Sequence, residues 1–190
     1  RASLLGAISD VYTSLDLPDE ALQIRRDALD MERELYGESS PQVVSSMRAL
    51  GALMDVGDGR ALEMLEQQLA TARAVYPAND PEIGLSEIAL GLYLNQAGNV
   101  EVSKDMLLGG VDKLDPTNPD HARRMITALI VSAEYYGMES LDEAFEAINR
   151  ASVIANLAFG EDSLQAALVQ VRLASTMTTY GDYENSEKNF

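Results

Sequence analysis

The chain has 190 residues, with 46% hydrophobic and 24% charged side chains, a balance that excludes a disordered polypeptide. Aromatics are scarce at 6%, and the apolar set is dominated by Ala and Leu, which favours helices over strands. Its 31 acidic residues outweigh 14 basic ones for a net charge of −17, which repels phosphate backbones and anionic lipid and so excludes nucleic acid and membrane surfaces as partners.

Helical spacing begins near the start. Leu5, Ile8, Val11, Tyr12 and Leu15 recur at helical intervals and predict one apolar stripe. "LDLPDE" then marks a turn, with its Pro suited to the first turn of the next helix. That helix carries Leu22, Leu29 and Leu35 as its stripe, with Arg25, Arg26, Asp30 and Glu34 among the polar positions. Its "DMERE" reads as an exposed face with i,i+4 partners. The helix breaks at "YGESSP", where Gly37 stands at the place of a C-terminal αL residue, as Gly160 does later. Short breaks at Gly57, Gly98, Gly137 and Gly181 then alternate with the longer "YPANDP", "LDPTNP" and "FGEDS". Residues before Pro avoid the α region, so helices stop at these points. The expectation is nine or ten helices in a chain of αα-hairpins, with no strand.

The hairpins keep register. Ala21, Ala61, Ser103, Ala144 and Ser186 follow the short turns at separations of 40, 42, 41 and 42 residues. Seven positions on, Ala28, Gly110 and Ala151 are again small, and Gln68 departs. Small residues at fixed points mean helices that approach closely. Gly109 and Gly110 stand together inside one helix, at a cost of about 1 kcal/mol each against Ala, so flexibility or unusually tight packing is expected there.

Three stretches carry a family likeness. "LLGAISDVYTSLDLPDEA" places Leu5, Ile8, Ser9, Tyr12, Asp16 and Ala21, "LGLYLNQAGNVEVS" places Leu90, Gly91, Leu94, Gly98 and Ser103, and "RLASTMTTYGDYENS" places Leu173, Ala174, Met177, Gly181, Tyr183 and Ser186. They resemble the tetratricopeptide repeat (TPR). The spacing of about 41 residues exceeds the usual repeat of about 34 and is similar to the kinesin-light-chain variety. That variety also occurs in bacterial proteins, including C-terminal arrays of serine/threonine kinases. The resemblance implies an all-α fold, an α-α superhelix of antiparallel hairpins stacked into a right-handed solenoid. It spans 1–190 as a single array with units near 1–40, 41–80, 81–118, 119–161 and a truncated 162–190.

The resemblance also implies a concave groove, lined by the first helix of each hairpin, that holds a peptide or protein segment. The family's inward positions fall on Asp10 and Thr13; Arg48 and Asp55; Leu92, Asn95 and Gln96; Arg124, Thr127, Val131, Glu134 and Tyr135; and Ser175 and Thr178. Two Arg among acids, beside an apolar patch of Leu92, Val131 and Tyr135, is hot-spot composition. A basic partner is the kind the overall charge would steer.

Catalytic chemistry finds no support. His121 is the only His and has no second ligand or base near it in sequence, so a solvated or capping role is expected. "GDG" and "LGG" lack the Lys and the setting of a phosphate loop. With no Cys, disulfides and thiolate metal sites are excluded and a cytoplasmic location is expected. No apolar run reaches the roughly 18 residues of a membrane span, and the start at Arg1 lacks a signal-peptide pattern and points to a piece of a longer protein. The leading expectation is a non-enzymatic interaction module without cofactor or metal. Its rivals are a regulatory or sensor region of a larger bacterial signalling enzyme, such as a serine/threonine kinase, and a self-assembly module.

Overall fold

Helix starts follow the Pro and cap signals. Ser40 Oγ accepts the N–H of Val43 at 3.3 Å, and Asp80 Oδ1 accepts that of Glu82 at 2.9 Å, each cap standing just before a Pro. Asn118 Oδ1 accepts from Asp120 and His121 at 2.9 and 3.3 Å, and Ser140 and Ser163 accept from Glu143 and Ala166 at 3.4 and 3.1 Å. Such bonds satisfy first-turn amides that no helix carbonyl reaches, while Pro at the first position forfeits none.

The computed structural model describes residues 2–54 and 59–179, with every side chain among them except those of residues 2, 3, 135–139, 177 and 179. Among the described residues there are nine helices: α1 (Ala2–Ser14), α2 (Pro18–Tyr36), α3 (Pro41–Gly51), α4 (Gly59–Val75), α5 (Pro81–Gln96), α6 (Val100–Val111), α7 (Pro119–Glu139), α8 (Leu141–Phe159) and α9 (Leu164–Thr179). Each packs on the next in sequence, and the odd-numbered helices α3, α5, α7 and α9 also touch one another in turn. The result is two layers, with odd-numbered helices on one side and even-numbered helices on the other.

The small residues sit at the crossings. Ala21, Ala61 and Ala144 have no exposed surface and Ser103 has 1%. Ser9 Oγ donates to the Ala21 carbonyl at 2.9 Å, whereas Ser103 Oγ donates to the Gly91 carbonyl at 2.8 Å. The same crossing is thus bridged in two hairpins with the hydroxyl on opposite helices. A Cβ on Gly51 would lie 2.5 Å from Leu65 Cδ2, and one on Gly91 2.9 Å from Leu107. Bulk on the second helix fills the room that glycine leaves on the first.

One core cluster joins Leu29, Val43, Met47, Leu50, Leu65 and Tyr93 from α2 to α5. A second joins Ile88, Leu107, Leu129, Ile148 and Val169 from α5 to α9. α5 contributes to both, which makes the core continuous; each fully buried side chain of this kind contributes about 1.5–3 kcal/mol. Buried Glu87 adds a polar tie at the same place. It accepts from Arg73 of α4 at 3.1 Å and from Lys113, just beyond α6, at 2.7 Å.

Several expectations need correction. Val11, Leu15 and Leu35 are 55%, 63% and 63% exposed, because the core takes only part of each predicted stripe. Arg25 is drawn inward: it stands four residues after Ala21, where Leu65 and Leu107 stand after Ala61 and Ser103, and it reaches the Gly6 carbonyl at 3.3 Å. Glu32 of the "DMERE" face is buried, at the place that Ala72 and Ala155 take in later hairpins. Gly37 and Gly160 have positive φ (82° and 88°), but ψ of 160° and 157° puts them in extended backbone open to glycine rather than in αL. α7 runs through Gly137 to Glu139, so Ser140 alone separates it from α8. Of the two glycines in α6, Gly110 is there for tight packing: a Cβ on it would lie 2.6 Å from the Gly84 carbonyl oxygen. Gly57, Gly181, Tyr183 and Ser186 lie outside the described residues.

Candidate partner-binding groove

The odd-numbered helices leave a concavity of about 610 Å³ where α3, α5 and α7 face one another. Leu85, Ile88, Ala89 and Leu92 of α5 supply its apolar floor, and Arg48, Gln96 and Arg124 supply polar walls. The floor is apolar because α5 is apolar on nearly every side, buried against α4 and α6 and still presenting Leu to α7. Asn118, Asp120 and His121 close one end, placed there by the start of α7.

Of the residues predicted to face a groove, Arg48, Leu92, Gln96 and Arg124 come together in this cavity. Arg48 is already engaged, donating to Glu82 Oε2 at 2.8 Å across α3 and α5. Arg124 is exposed and makes no ion pair or hydrogen bond among the described residues. Asn95 and Val131 are half-buried and do not line the cavity, and Val131 packs on the second core cluster. Thr127 is exposed and donates to the Arg123 carbonyl at 3.0 Å. Glu134 pairs with Arg172 of α9 at 2.9 Å. Asp10 pairs with Arg25 of α2, and Thr13 donates to the Ser9 carbonyl at 3.0 Å, both far along the array from the cavity. Ser175 and Thr178 are exposed on α9, where Thr178 donates to the Ala174 carbonyl at 2.9 Å. Asp55 and the side chain of Tyr135 lie outside the described residues.

Glu82, Leu85 and His121 were not among the expected groove residues. Glu82 looks like any acid of a first helical turn, and only its meeting with Arg48 across two hairpins marks it. His121 Nδ1 accepts the Asp115 N–H at 3.3 Å, so the ring ties down the turn before α7 as well as bordering the cavity. The Thr117 hydroxyl and N–H, both donating to the Asp115 carboxylate, hold that group below the usual carboxylate range. At the other end of the Arg48–Glu82 pair, burial pushes the Tyr76 hydroxyl up, aided by the Glu82 and Asp80 carboxylates and opposed by Arg48. Among the described residues, no group of three or more His, Cys, Asp or Glu is placed to hold a metal ion, and no helix is long and apolar enough to cross a membrane.

Two solved structures share this arrangement. Both are of a Podosopora anserina protein, described as a candidate kinesin light chain with nearly identical TPR-like repeats, one of them a single-substitution variant. They match with TM-scores of 0.77 and 0.76 at 16% identity, over 98% of this chain and 90% of theirs. The chain has the fold of a TPR-like solenoid. No family profile and no curated protein sequence matches it. At 16% identity the likeness lies in backbone architecture, so the TPR-like array is defined by the placement of small and apolar residues more than by shared surface chemistry.

Proposed function

We propose that this TPR-like array is a non-enzymatic interaction module that captures a peptide or protein segment along α3, α5 and α7. Its main support is the cavity, which joins an apolar floor of Leu85 and Leu92 to Arg124, a guanidinium with no partner among the described residues. An apolar floor buries a partner's side chain, and a free guanidinium donates to its carbonyl or carboxylate oxygens. The TPR-like neighbours support an interaction scaffold in general.

Peptides selected by display against the 190-residue chain test this. Arg124→Ala should weaken a selected peptide at least tenfold at an unchanged melting temperature, and Gln67→Ala on the outer face should not. Equal affinity for wild type and Arg124→Ala would rule out the groove as the capture site. Arg48 is a poorer probe, since removing it also breaks the pair with Glu82 and lowers stability. A basic partner steered by the −17 surface should bind more weakly as salt rises.

A further inference from the structure

One side of α5 lines the groove, and a different chemistry holds its other side. Leu85, Ala89 and Leu92 face the cavity, and Glu87 lies about half a helical turn around from them, behind the groove. Glu87 stands seven residues after the cap Asp80, where α3 and α7 have Met47 and Met125 after Ser40 and Asn118. Both methionines are buried in the apolar clusters. In α5 the same place holds a buried carboxylate, its two oxygens taken by Arg73 and Lys113.

Those partners come from different hairpins. Lys113 follows α6 and so belongs to the hairpin of Glu87 itself, whose two helices are already fixed by the backbone approach of Gly110 to Gly84. Arg73 belongs to α4, in the hairpin before. It crosses the junction on the outer face of α5, while Arg48 of α3 crosses the same junction to Glu82 on the groove face. The junction thus carries an ion pair on each face. The pairs at the two later junctions, Arg150 with Asp112 and Arg172 with Glu134, are more exposed. The two core clusters also meet at α5, with α3 and α4 packed in one and α7 and α8 in the other. A buried ion pair adds little net stability over apolar packing, but it fixes where its atoms must meet.

We propose that Glu87 is a positioning residue for the groove, whose pair with Arg73 sets the angle between two hairpins and with it the spacing of α3 and α7, the groove's two walls. The inference rests on the groove reading above and adds what holds the groove at its width. The two ion pairs act in opposite senses. With Arg73 and Glu87 parted, the outer layer opens while Arg48 and Glu82 still tie the inner layer, so α4 moves away from α6 and α3 closes on α7. With Arg48 and Glu82 parted, the inner layer opens and α4 closes on α6. A partner that takes Arg48 or Glu82 for itself therefore widens the groove it enters.

The chain has no Cys, so introduced pairs of cysteines carry the only spin labels. Gln67→Cys with Asp105→Cys reports the outer layer, and Ser45→Cys with Thr127→Cys the inner layer, all four positions being exposed. Double electron–electron resonance on the 190-residue chain, with no peptide present, tests the proposal. Glu87→Met, which supplies the residue that α3 and α7 carry, should lengthen the outer distance and shorten the inner one by about 1–2 Å each, the size of ordinary helix shifts at an interface. Glu82→Ala should do the reverse. Arg73→Ala removes the same outer pair from a half-exposed residue and should repeat the Glu87→Met pattern even if the buried substitution proves unstable. Unchanged distances in Arg73→Ala and Glu82→Ala, at wild-type helical circular dichroism, overturn the proposal. So do shifts of one sign in both layers, which mean general loosening. The groove reading is judged separately, since spacing is read without a peptide. A display-selected peptide with equal affinity for Glu87→Met and wild type, at shifted distances, counts against the groove and leaves the positioning role standing.

Discussion

Gly109 and Gly110 are neighbours in α6 with different surroundings. A Cβ on Gly110 would meet the Gly84 carbonyl oxygen at 2.6 Å and Ile88 Cγ1 at 2.7 Å, and the backbone contact cannot yield. A Cβ on Gly109 would find Glu87 Oε2 at 3.6 Å, an ordinary contact. Replacing Gly109 with Ala should therefore stabilise the protein by up to about 1 kcal/mol through helix propensity, while the same change at Gly110 should destabilise it. Urea denaturation of the two variants checks the opposed signs. The sequence shows only that two glycines stand in a helix; which of them touches a neighbour depends on how α5 and α6 cross. Charged residues behave likewise. Ala21, Ala61 and Ala144 were legible as contacts because small size at a fixed spacing has one cause. Arg25, Glu32 and Glu87 were not, because a charged letter at a helical position reads as solvent-facing until its partners are known.

At the scale of helices, starts were legible and stops less so. Pro and the caps before it act within one turn, so the starts of α3, α5 and α7 can be read from adjacent residues. The passage of α7 through Gly137 could not, since a glycine marks a turn or continues a helix according to the packing around it. Gly160 shows how a helix end can demand glycine without a steric neighbour. Nothing lies within 4 Å of a Cβ built on it, yet φ 88° and ψ 157° form a region that L side chains scarcely enter. Gly160→Ala should cost about 1–3 kcal/mol, read as a lowered melting temperature. A variant as stable as wild type would mean that the turn between α8 and α9 readily takes another path.

For the molecule as a whole, the fold was more legible than the groove. A repeat announces its architecture many times over: four small residues recur near the same spacing in the described chain, and each reports the same crossing. A groove residue appears once, and its exposure depends on helices one and two hairpins away. Thus Arg48 and Arg124 were both placed on the inner face, but only the structure separates the one held by Glu82 from the one with no partner among the described residues. Charge also acts at this scale. With −17 spread over 190 residues, self-repulsion should make the melting temperature rise with added sodium chloride, most steeply below about 0.1 M, where screening changes fastest. A flat or falling curve would show that local ion pairs such as Glu87 with Lys113 outweigh the net repulsion.

Capture on the inner layer is tested by hydrogen exchange of the chain with and without a display-selected peptide. Exchange should slow in α5 and the first half of α7, around Leu85, Leu92 and Arg124, with α4 and α8 unchanged. Protection concentrated on α4, α6 or α8, with α5 and α7 unaffected, would contradict it.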